Sequence, residues 1–208
     1  RTPLLPSLLL LGAAVAAAGL ETRILGPAEA GPAVLARMAD LYESHNDKFG
    51  PWAARFLTRD FFIRLPEFLD GGWALAAASE GDGPPLALAF LLEGPKRLYG
   101  RHWGSGREIP GLHFELCYYK PLEYALERGI GSFDPGMGSP HKAARGFASR
   151  VVPSLHLAFD RRVDALLAAL LPEASAEAER EAALLNGMLP FKRGPGGPGA
   201  GQAGSTTP

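Results

Sequence analysis

Cysteine is nearly absent from this sequence, and its scarcity excludes two kinds of stabilisation. Cys117 is the only cysteine among 208 residues, so no disulfide can close within the chain and no cysteine cluster can hold a metal. The five histidines show no HExxH or other close spacing of the kind that metal sites use. We therefore expect neither a disulfide framework nor a bound metal.

Excess charge and long apolar runs are missing as well. The formal net charge is −1, which gives no indication of a DNA partner or of an anionic membrane surface. The apolar run from Leu8 to Ala18 is too short for a stable membrane span. Residues 1–20 therefore indicate either the end of a truncated element or a targeting remnant. The predicted location is the cytoplasm, or an organelle if this segment directs import.

The common catalytic signatures are also missing. The sequence has no P-loop, no dinucleotide fingerprint and no G-x-S-x-G nucleophile motif. Nothing in it supports a Ser-His-Asp triad. A nucleotide-hydrolysing enzyme or a serine hydrolase is therefore not indicated.

What is present is an ordinary globular composition, with 47% hydrophobic and 21% charged residues. We expect one domain over residues 21–192. Residues 193–208 form a Gly/Pro-rich tail that cannot bury a core.

Periodicity predicts a mixed α/β (α+β) fold with a central, mostly antiparallel sheet flanked by helices. The predicted helices cover 27–50, 58–70, 111–129 and two pieces of 161–189 separated at Pro172. The predicted strands cover 21–25, 72–79, 86–94, 96–104, part of 131–138 and 150–160.

The stretch GLHFELCYYKPLEYALERG (111–129) combines an apolar stripe with a helix breaker. Pro121 lacks the amide that would bond the carbonyl of Cys117, so the helix must kink or restart there. The stripe that we expect to face the core consists of Leu112, Leu116, Tyr119, Leu122 and Leu126.

Polar groups with catalytic potential share this stretch. His113, Glu115 and Tyr118 are the candidate general acid or base residues if the helix faces a cleft. The alternative is a bent core helix whose polar groups are half-buried. Spacing alone leaves both interpretations open.

Two further clusters have anion-binding character. RHWGSG (101–106) fits the pattern R-x-x-G-x-G, in which Arg101, Gly104 and Gly106 would hold phosphates through backbone amides. His141, Lys142 and Arg145 follow a glycine-rich bend and suggest phosphate or carboxylate binding. For each cluster the alternative is a surface turn.

His156 lies in the apolar run SLHLAFD (154–160). A lone histidine in such a run is more often a satisfied core residue than a functional one. We expect the run to be a strand.

Several of these motifs occur together in a known order. LYGRHWG, LHFELCYYKPLEYALERG, FDPGMGSPHKAARGF and SLHLAFD resemble a family of predicted N-acyltransferases that is GNAT-like and related to the Fem peptidoglycan aminoacyltransferases. The resemblance covers about residues 20–192. It implies a GNAT-like fold and a chain corresponding to the second half of a tandem, with an N-terminal GNAT half expected in the full protein.

The resemblance also implies a function. It suggests transfer of an acyl or aminoacyl group to an amine, with acyl-CoA or an aminoacyl-tRNA as donor and no metal. The alternative is a non-catalytic recognition module that binds a peptide, a glycan or a protein. The positions that match the family and would contact substrate are Tyr99, Trp103, Tyr119, His141 and His156. The family's Gln-Gly-Glu-His-Lys run is Gly138-Ser139-Pro140-His141-Lys142 here, so that Pro140 replaces an acidic residue.

Overall fold

The computed structural model describes residues 14–53 and 55–190, which form two compact units divided after Gly136. The expectations for residues 1–13 and for the tail at 193–208 concern residues outside this described part.

The first unit is built on a five-stranded sheet in which the strands follow the chain order. The strands are β1 (Glu21–Leu25), β2 (Trp73–Ser79), β3 (Ala87–Glu93), β4 (Arg97–Ser105) and β5 (Ser132–Asp134). The first four pair antiparallel, and β5 runs parallel to β4. A parallel pair needs a crossover connection, and the helical stretch 112–127 provides it. The predicted mixed fold is confirmed, and its topology is consistent with a GNAT-like domain.

Helices cover both faces of the sheet. They are α1 (Pro32–Asp47), α2 (Arg59–Ile63), α3 (Leu65–Phe68), α4 (Leu112–Phe114) and α5 (Lys120–Glu127), with a 3-10 turn at Gly50–Trp52 and a π-helical turn at Glu115–Tyr119. The predicted helix at 58–70 is divided into α2 and α3. The Thr58 hydroxyl accepts the Phe61 amide at 3.3 Å and caps α2, while Pro66 lies in the first turn of α3.

Alternation along β2 and β3 sends side chains into two separate cores. Leu75, Leu88 and Phe90 pack with α1 and α2 on one face. Ala74, Ala76 and several further alanines face the helical stretch 112–127 on the other. Strands buried on both faces read as continuous apolar runs, which is why these two were predicted as strands.

The apolar stripe of the helical stretch 112–127 follows the prediction only in its first half. Leu112 and Leu116 are buried, whereas Leu122 and Leu126 are 41% and 72% exposed. In the second half the buried positions are instead Pro121 and Ala125.

A π-helical turn causes this change of register. In Glu115–Tyr119 the hydrogen bonds span five residues, and the Lys120 amide donates to the Glu115 carbonyl. The turn holds the buried residues Leu116 and Tyr118, and because it adds a residue, the buried positions beyond it are Pro121 and Ala125, each one residue before the predicted Leu122 and Leu126. Pro121 then lies in the first turn of α5, where its missing amide is tolerated.

The second unit contains α6 (Pro140–Ala143) and α7 (Arg161–Gly187). The prediction of two helical pieces in 161–189 was wrong, because α7 continues through Pro172. A proline removes one amide donor, and the flanking alanines, leucines and glutamates are strong helix formers that sustain the helix. The strand predicted at 150–160 is also absent from this unit, since no other strand of the unit lies within its described residues to pair with it.

Within residues 14–53 and 55–190, no helix has both the length and the apolar content that crossing a bilayer requires.

Candidate functional site

The candidate site lies where β4 continues past the end of β5. The short strand β5 pairs only with Arg97–Tyr99, so the rest of β4 has no strand on that edge within the described sheet. At the same place the register between β3 and β4 shifts, and Arg101 becomes an extra residue between Gly100 and His102. Such a β-bulge re-aims the neighbouring side chains, and here it leaves Arg101 exposed.

Two histidines flank a tryptophan at this edge. The ring centroid of Trp103 lies 4.7 Å from that of His113 and 5.6 Å from that of His45. His113 in turn meets the Tyr118 ring at 5.5 Å, and His45 meets the Phe49 ring at 5.5 Å. We call these five residues, Phe49, His45, Trp103, His113 and Tyr118, the aromatic row.

The fold brings the row together from both sides of the sheet. His45 lies near the end of α1, which covers one face, and His113 lies in α4, which covers the other. The two can meet one tryptophan only around the edge of β4. Gly111, with a φ of 86° that favours glycine, turns the chain into α4 just before His113.

Burial sets the charge of the histidines near β4. It lowers the pKa of His45 below the ordinary 6.5, and Lys48 lowers this pKa further. Burial also lowers the pKa of His102, and the positive charge of Arg101 lowers it further. His45 is therefore neutral at pH 7, and one of its ring nitrogens can accept a proton.

Glu115 does not join the aromatic row. Burial raises the pKa of its carboxyl, while the charge of Lys120 and a hydrogen bond with Thr22 of β1 act in the opposite direction. Residues two apart on a helix do not face the same way, and strands β1 and β4 are about 14 Å apart at the usual strand spacing. The structure thus brings the rings of His113 and Tyr118 into contact and places the Glu115 carboxyl beside Thr22, and the predicted catalytic role of Glu115 stays a prediction.

The glycines of RHWGSG have a packing explanation. Gly104 lies within β4 and not in a loop, and a Cβ added there would lie 2.2 Å from the carbonyl oxygen of Leu41 in α1. The Gly106 amide donates to the Leu86 carbonyl at 3.0 Å. Gly104 therefore allows α1 to approach β4 closely, and the predicted phosphate-binding role of both glycines stays a prediction.

Two further predicted positions lie near the site without joining the row. The Arg97 guanidinium lies 6.0 Å from the ring centroid of Tyr99, at the end of the β4–β5 pairing. Tyr119 is half-buried in the π-helical turn. Their predicted contacts with substrate stay predictions.

A polar cavity of about 400 Å³ lies between β1 and α5, away from the row. On its wall the Tyr124 hydroxyl donates to Glu93 at 2.7 Å, and Arg128 pairs with the same carboxylate at 2.9 Å. Burial and this hydrogen bond raise the pKa of Tyr124 to about 12. These contacts join α5 and the turn after it to Glu93 at the end of β3, which gives Tyr124 and Arg128 a structural role.

In the second unit, the predicted anion cluster bonds to its own backbone. Lys142 donates to the Met137 carbonyl at 2.7 Å, and Arg145 donates to the His141 carbonyl at 2.7 Å. The His141 ring lies within hydrogen-bond distance, 3.2 Å, of the Ser139 hydroxyl. Burial lowers the pKa of His141, and the positive charges of Lys142 and Arg145 add to the effect. Binding of an outside anion by this cluster stays a prediction.

His156 is not a core residue, which corrects the expectation for the run SLHLAFD. The side chain is exposed, as are those of Leu155 and Leu157 on either side. Burial needs a neighbouring element on the apolar face, and the described residues of this unit provide none. The predicted substrate contact of His156 remains untested.

Sequence reasoning missed His45 and Phe49. Both lie in the helix predicted at 27–50, and no spacing rule connects that helix with Trp103 some sixty residues later. Only the sheet topology brings them together. Within the described residues, no group of three or more histidine, cysteine or acidic side chains is placed to hold a metal ion.

Known proteins resemble this chain at the level of a family. No individual curated protein matches the chain significantly. The FemAB-like family, described by its role in peptidoglycan biosynthesis and recognition, matches residues 12–193, which includes both units. That match covers most of the sequence and every element from β1 to α7. The chain therefore belongs to the FemAB-like family of peptidoglycan biosynthesis and recognition.

Proposed function

We propose that this chain is an N-acyltransferase, which moves an acyl or aminoacyl group from a thioester or ester donor to an amine of a peptidoglycan-type peptide. The observation that carries the proposal is the pair of histidines, His45 and His113, that flank Trp103 at the open edge of β4. Family membership supplies the substrate class, and the row supplies groups that can move a proton.

The reaction needs one base and one acid. The acceptor amine attacks the donor carbonyl, and a neutral imidazole of His113 or His45 takes the proton that the nitrogen loses. The tetrahedral intermediate then collapses, the bond to the donor sulfur or oxygen breaks, and a thiolate (from a thioester) or an alkoxide (from an ester) leaves. Tyr118, whose ring contacts His113, donates the proton to that leaving group. No covalent enzyme intermediate is required, and Glu115 has no part in these steps.

The edge of β4 suits an extended donor. Backbone groups past Tyr99 can hydrogen-bond to the amide-containing arm of an acyl-CoA, as a strand would. The exposed Arg101 at the bulge offers a guanidinium to donor phosphates. An aminoacyl-tRNA also carries phosphates, and many more of them. A competition assay between the two donors would show which one the chain uses.

The test is a transfer assay with the full chain. We would offer acetyl-CoA or an aminoacyl-tRNA together with a muramyl peptide that carries a free side-chain amine, and measure product mass. His113→Asn should lower kcat about 100-fold or more, as removal of a general base does. Glu181→Gln, at an exposed carboxylate of α7 to which no role is assigned, is the control and should retain activity. Equal activity in both variants would overturn the role of the row.

A pH profile separates proton transfer from mere positioning. If the base has a pKa below the ordinary 6.5, the transfer rate does not change with pH near neutrality. The rate falls only on acidification, when the base becomes protonated. We expect His45→Asn to shift or remove this acidic limb if His45 is the base. An unshifted limb would assign the proton transfer to His113.

A recognition module is the second candidate, and one observation favours it. The loop after α1 exposes Trp52 by 90% and Phe56 by 80%, next to Phe49 of the row. The Tyr42 hydroxyl fixes this loop by accepting the Phe56 amide at 3.0 Å and the Leu57 amide at 3.3 Å. Exposed, anchored aromatic rings can stack on a sugar or peptide. Calorimetric binding of a muramyl peptide without turnover, lost in Trp52→Ala, would support recognition over transfer.

A further inference from the structure

Residues 147–158 of the second unit contain no helix, strand, turn or bend, although the segment has the pattern of a strand. The side chains of Ser154 and His156 hydrogen-bond at 2.9 Å, as residues two apart do on one face of an extended chain. From 151 to 159 every odd position is apolar: Val151, Pro153, Leu155, Leu157 and Phe159. The even positions from 150 to 160 are mostly polar: Arg150, Val152, Ser154, His156, Ala158 and Asp160. This alternation is that of a half-buried strand.

The apolar face of this segment is open in the single chain. Leu155 is fully exposed at 102%, Phe159 at 94% and Leu157 at 79%. Isolated surface leucines are common, but a contiguous apolar patch of this kind marks an interaction surface.

Exposed apolar side chains are also present in the first half of α7. A standard complex buries about 800 Å² on each partner, so a stable interface would use these residues together with the segment. The α7 residues concerned are Val163, Leu166 and Leu170.

The segment is also complementary to itself in one register. If two copies run antiparallel with Leu155 opposite Leu155, Arg150 of each copy lies opposite Asp160 of the other. Val151 then lies opposite Phe159, and Ser154 lies opposite His156. Opposite charges and apolar pairs directly across a strand pair are stabilising. A two-fold axis at Leu155 gives each of these contacts twice, except the Leu155–Leu155 pair on the axis itself.

We propose that residues 150–160 are a dimerisation strand, which pairs antiparallel with the same segment of a second copy of this chain about a two-fold axis at Leu155. The two apolar faces form one surface, and α7 of each copy contributes its exposed leucines and valine. The proposal concerns assembly and does not depend on the transferase function.

The proline within the strand fits this arrangement. Pro153 has no amide to donate, so it must occupy a position whose amide would point away from the partner. In an antiparallel pair these non-hydrogen-bonded positions alternate with hydrogen-bonded ones. If the Leu155–Leu155 pair is non-hydrogen-bonded, Pro153 and Leu157 form the next pair of the same kind. The missing amide of Pro153 then removes no hydrogen bond between the two strands.

Sedimentation of the full chain across a range of concentrations tests the assembly. The wild-type chain should be a dimer that dissociates on dilution. Leu155→Asp places two carboxylates across the axis in an apolar interface and should weaken the dimer by roughly tenfold or more. Ser154→Asp is the matched control, because it adds the same charge one residue away, opposite His156, and should leave the dimer intact.

Cysteine cross-linking tests the register. In Leu155→Cys the two new thiols face each other with Cα atoms about 4.5 Å apart, within the range that a disulfide spans. In Leu157→Cys the same groups are offset by four residues, about 13 Å, and cannot join. Mild oxidation should therefore give a covalent dimer in the first variant alone. Cys117 is common to both variants, so the second also controls for it.

The outcomes divide cleanly. Dimer formation that Leu155→Asp weakens, with cross-linking only at position 155, supports the proposal. A chain that sediments as a monomer at every concentration overturns it and leaves the surface to a different protein. A dimer that cross-links equally at 155 and 157, or that Leu155→Asp does not affect, overturns the proposed register and axis.

Discussion

The two units of this chain place apolar, strand-like segments in opposite environments. In the first unit the continuous apolar runs of β2 and β3 are buried between helices on both faces, and Phe62 and Phe90 are at most 2% exposed. In the second unit the alternating apolar residues at 151–159 are exposed, with Phe159 at 94%. An apolar pattern therefore indicates that a segment needs a partner, and the remaining chain decides whether the partner is internal.

The largest expected difference between the units comes from one substitution made in each. Phe62→Ala removes a ring that packs on Tyr42, Phe61 and Phe90, and we expect it to lower the free energy of unfolding by about 3–5 kcal/mol. Urea denaturation followed by circular dichroism measures the loss.

Phe159→Ala is the matched change in the second unit. In dilute, monomeric protein it should alter the free energy of unfolding by no more than about 0.5 kcal/mol, because the ring has little to pack against. A loss comparable with that of Phe62→Ala would show that the second unit buries Phe159 in solution and would break the comparison.

A pair of glycine substitutions tests the same comparison, because in the first unit a glycine of β4 lies directly against α1. Gly104→Ala places a Cβ within 2.2 Å of the Leu41 carbonyl oxygen, so α1 must move away from β4. We expect a loss of about 1–3 kcal/mol in the free energy of unfolding, as for other overpacked sites.

The matched glycine is Gly187 at the end of α7, where an added Cβ has nothing within 4 Å. Gly187→Ala should be neutral or stabilising by up to about 1 kcal/mol, since alanine favours the helix. Thermal melting of the two variants side by side is sufficient. Equal melting temperatures would contradict the close contact between α1 and β4.

The sequence predicted the structure correctly where a segment's own residue pattern determines its burial. It predicted it wrongly where contacts with residues far away in the chain determine which side chains are buried or brought together. It found the strands of the first unit, because their apolar runs are short and bounded by turn residues. It placed Leu122 and Leu126 in the core, because the π-helical turn that changes their register leaves no periodic signature. Trp103 and His113 were recognised as candidates, but His45 was not, since the sheet topology alone brings α1 to the edge of β4.

Hydrogen bonds give a smaller contrast between the units. Tyr42→Phe removes the hydroxyl that accepts the Phe56 and Leu57 amides, and we expect a loss of about 1–2 kcal/mol in the free energy of unfolding. Hydrogen exchange at these two amides should accelerate, which locates the effect in the loop after α1.

The counterpart is Asn186, which joins α7 to the preceding segment by two bonds to the Ser149 backbone at 2.8 and 2.9 Å. Asn186→Ala should accelerate exchange at the Ser149 amide and leave the amides of the first unit unchanged. Faster exchange in both units from either variant would show that they open together, against the separation described above.

The smallest effect concerns the charge of Glu115. Burial raises the pKa of this carboxyl in the folded protein above its ordinary 4.5, so the folded chain holds the proton more tightly than the unfolded chain. The contribution of Glu115 to stability is therefore present at acidic pH and is lost as the pH rises from about 4.5 through the folded-state pKa. Glu115→Gln cannot ionise, so its stability relative to the wild type should rise between about pH 4 and pH 7, measured by urea denaturation at each pH. A difference that is constant with pH would mean that Glu115 is well solvated.

The pH dependence of the transferase rate should be unaffected by the same substitution, because the proposed proton transfers belong to the aromatic row and the Glu115 carboxyl lies beside Thr22 of β1.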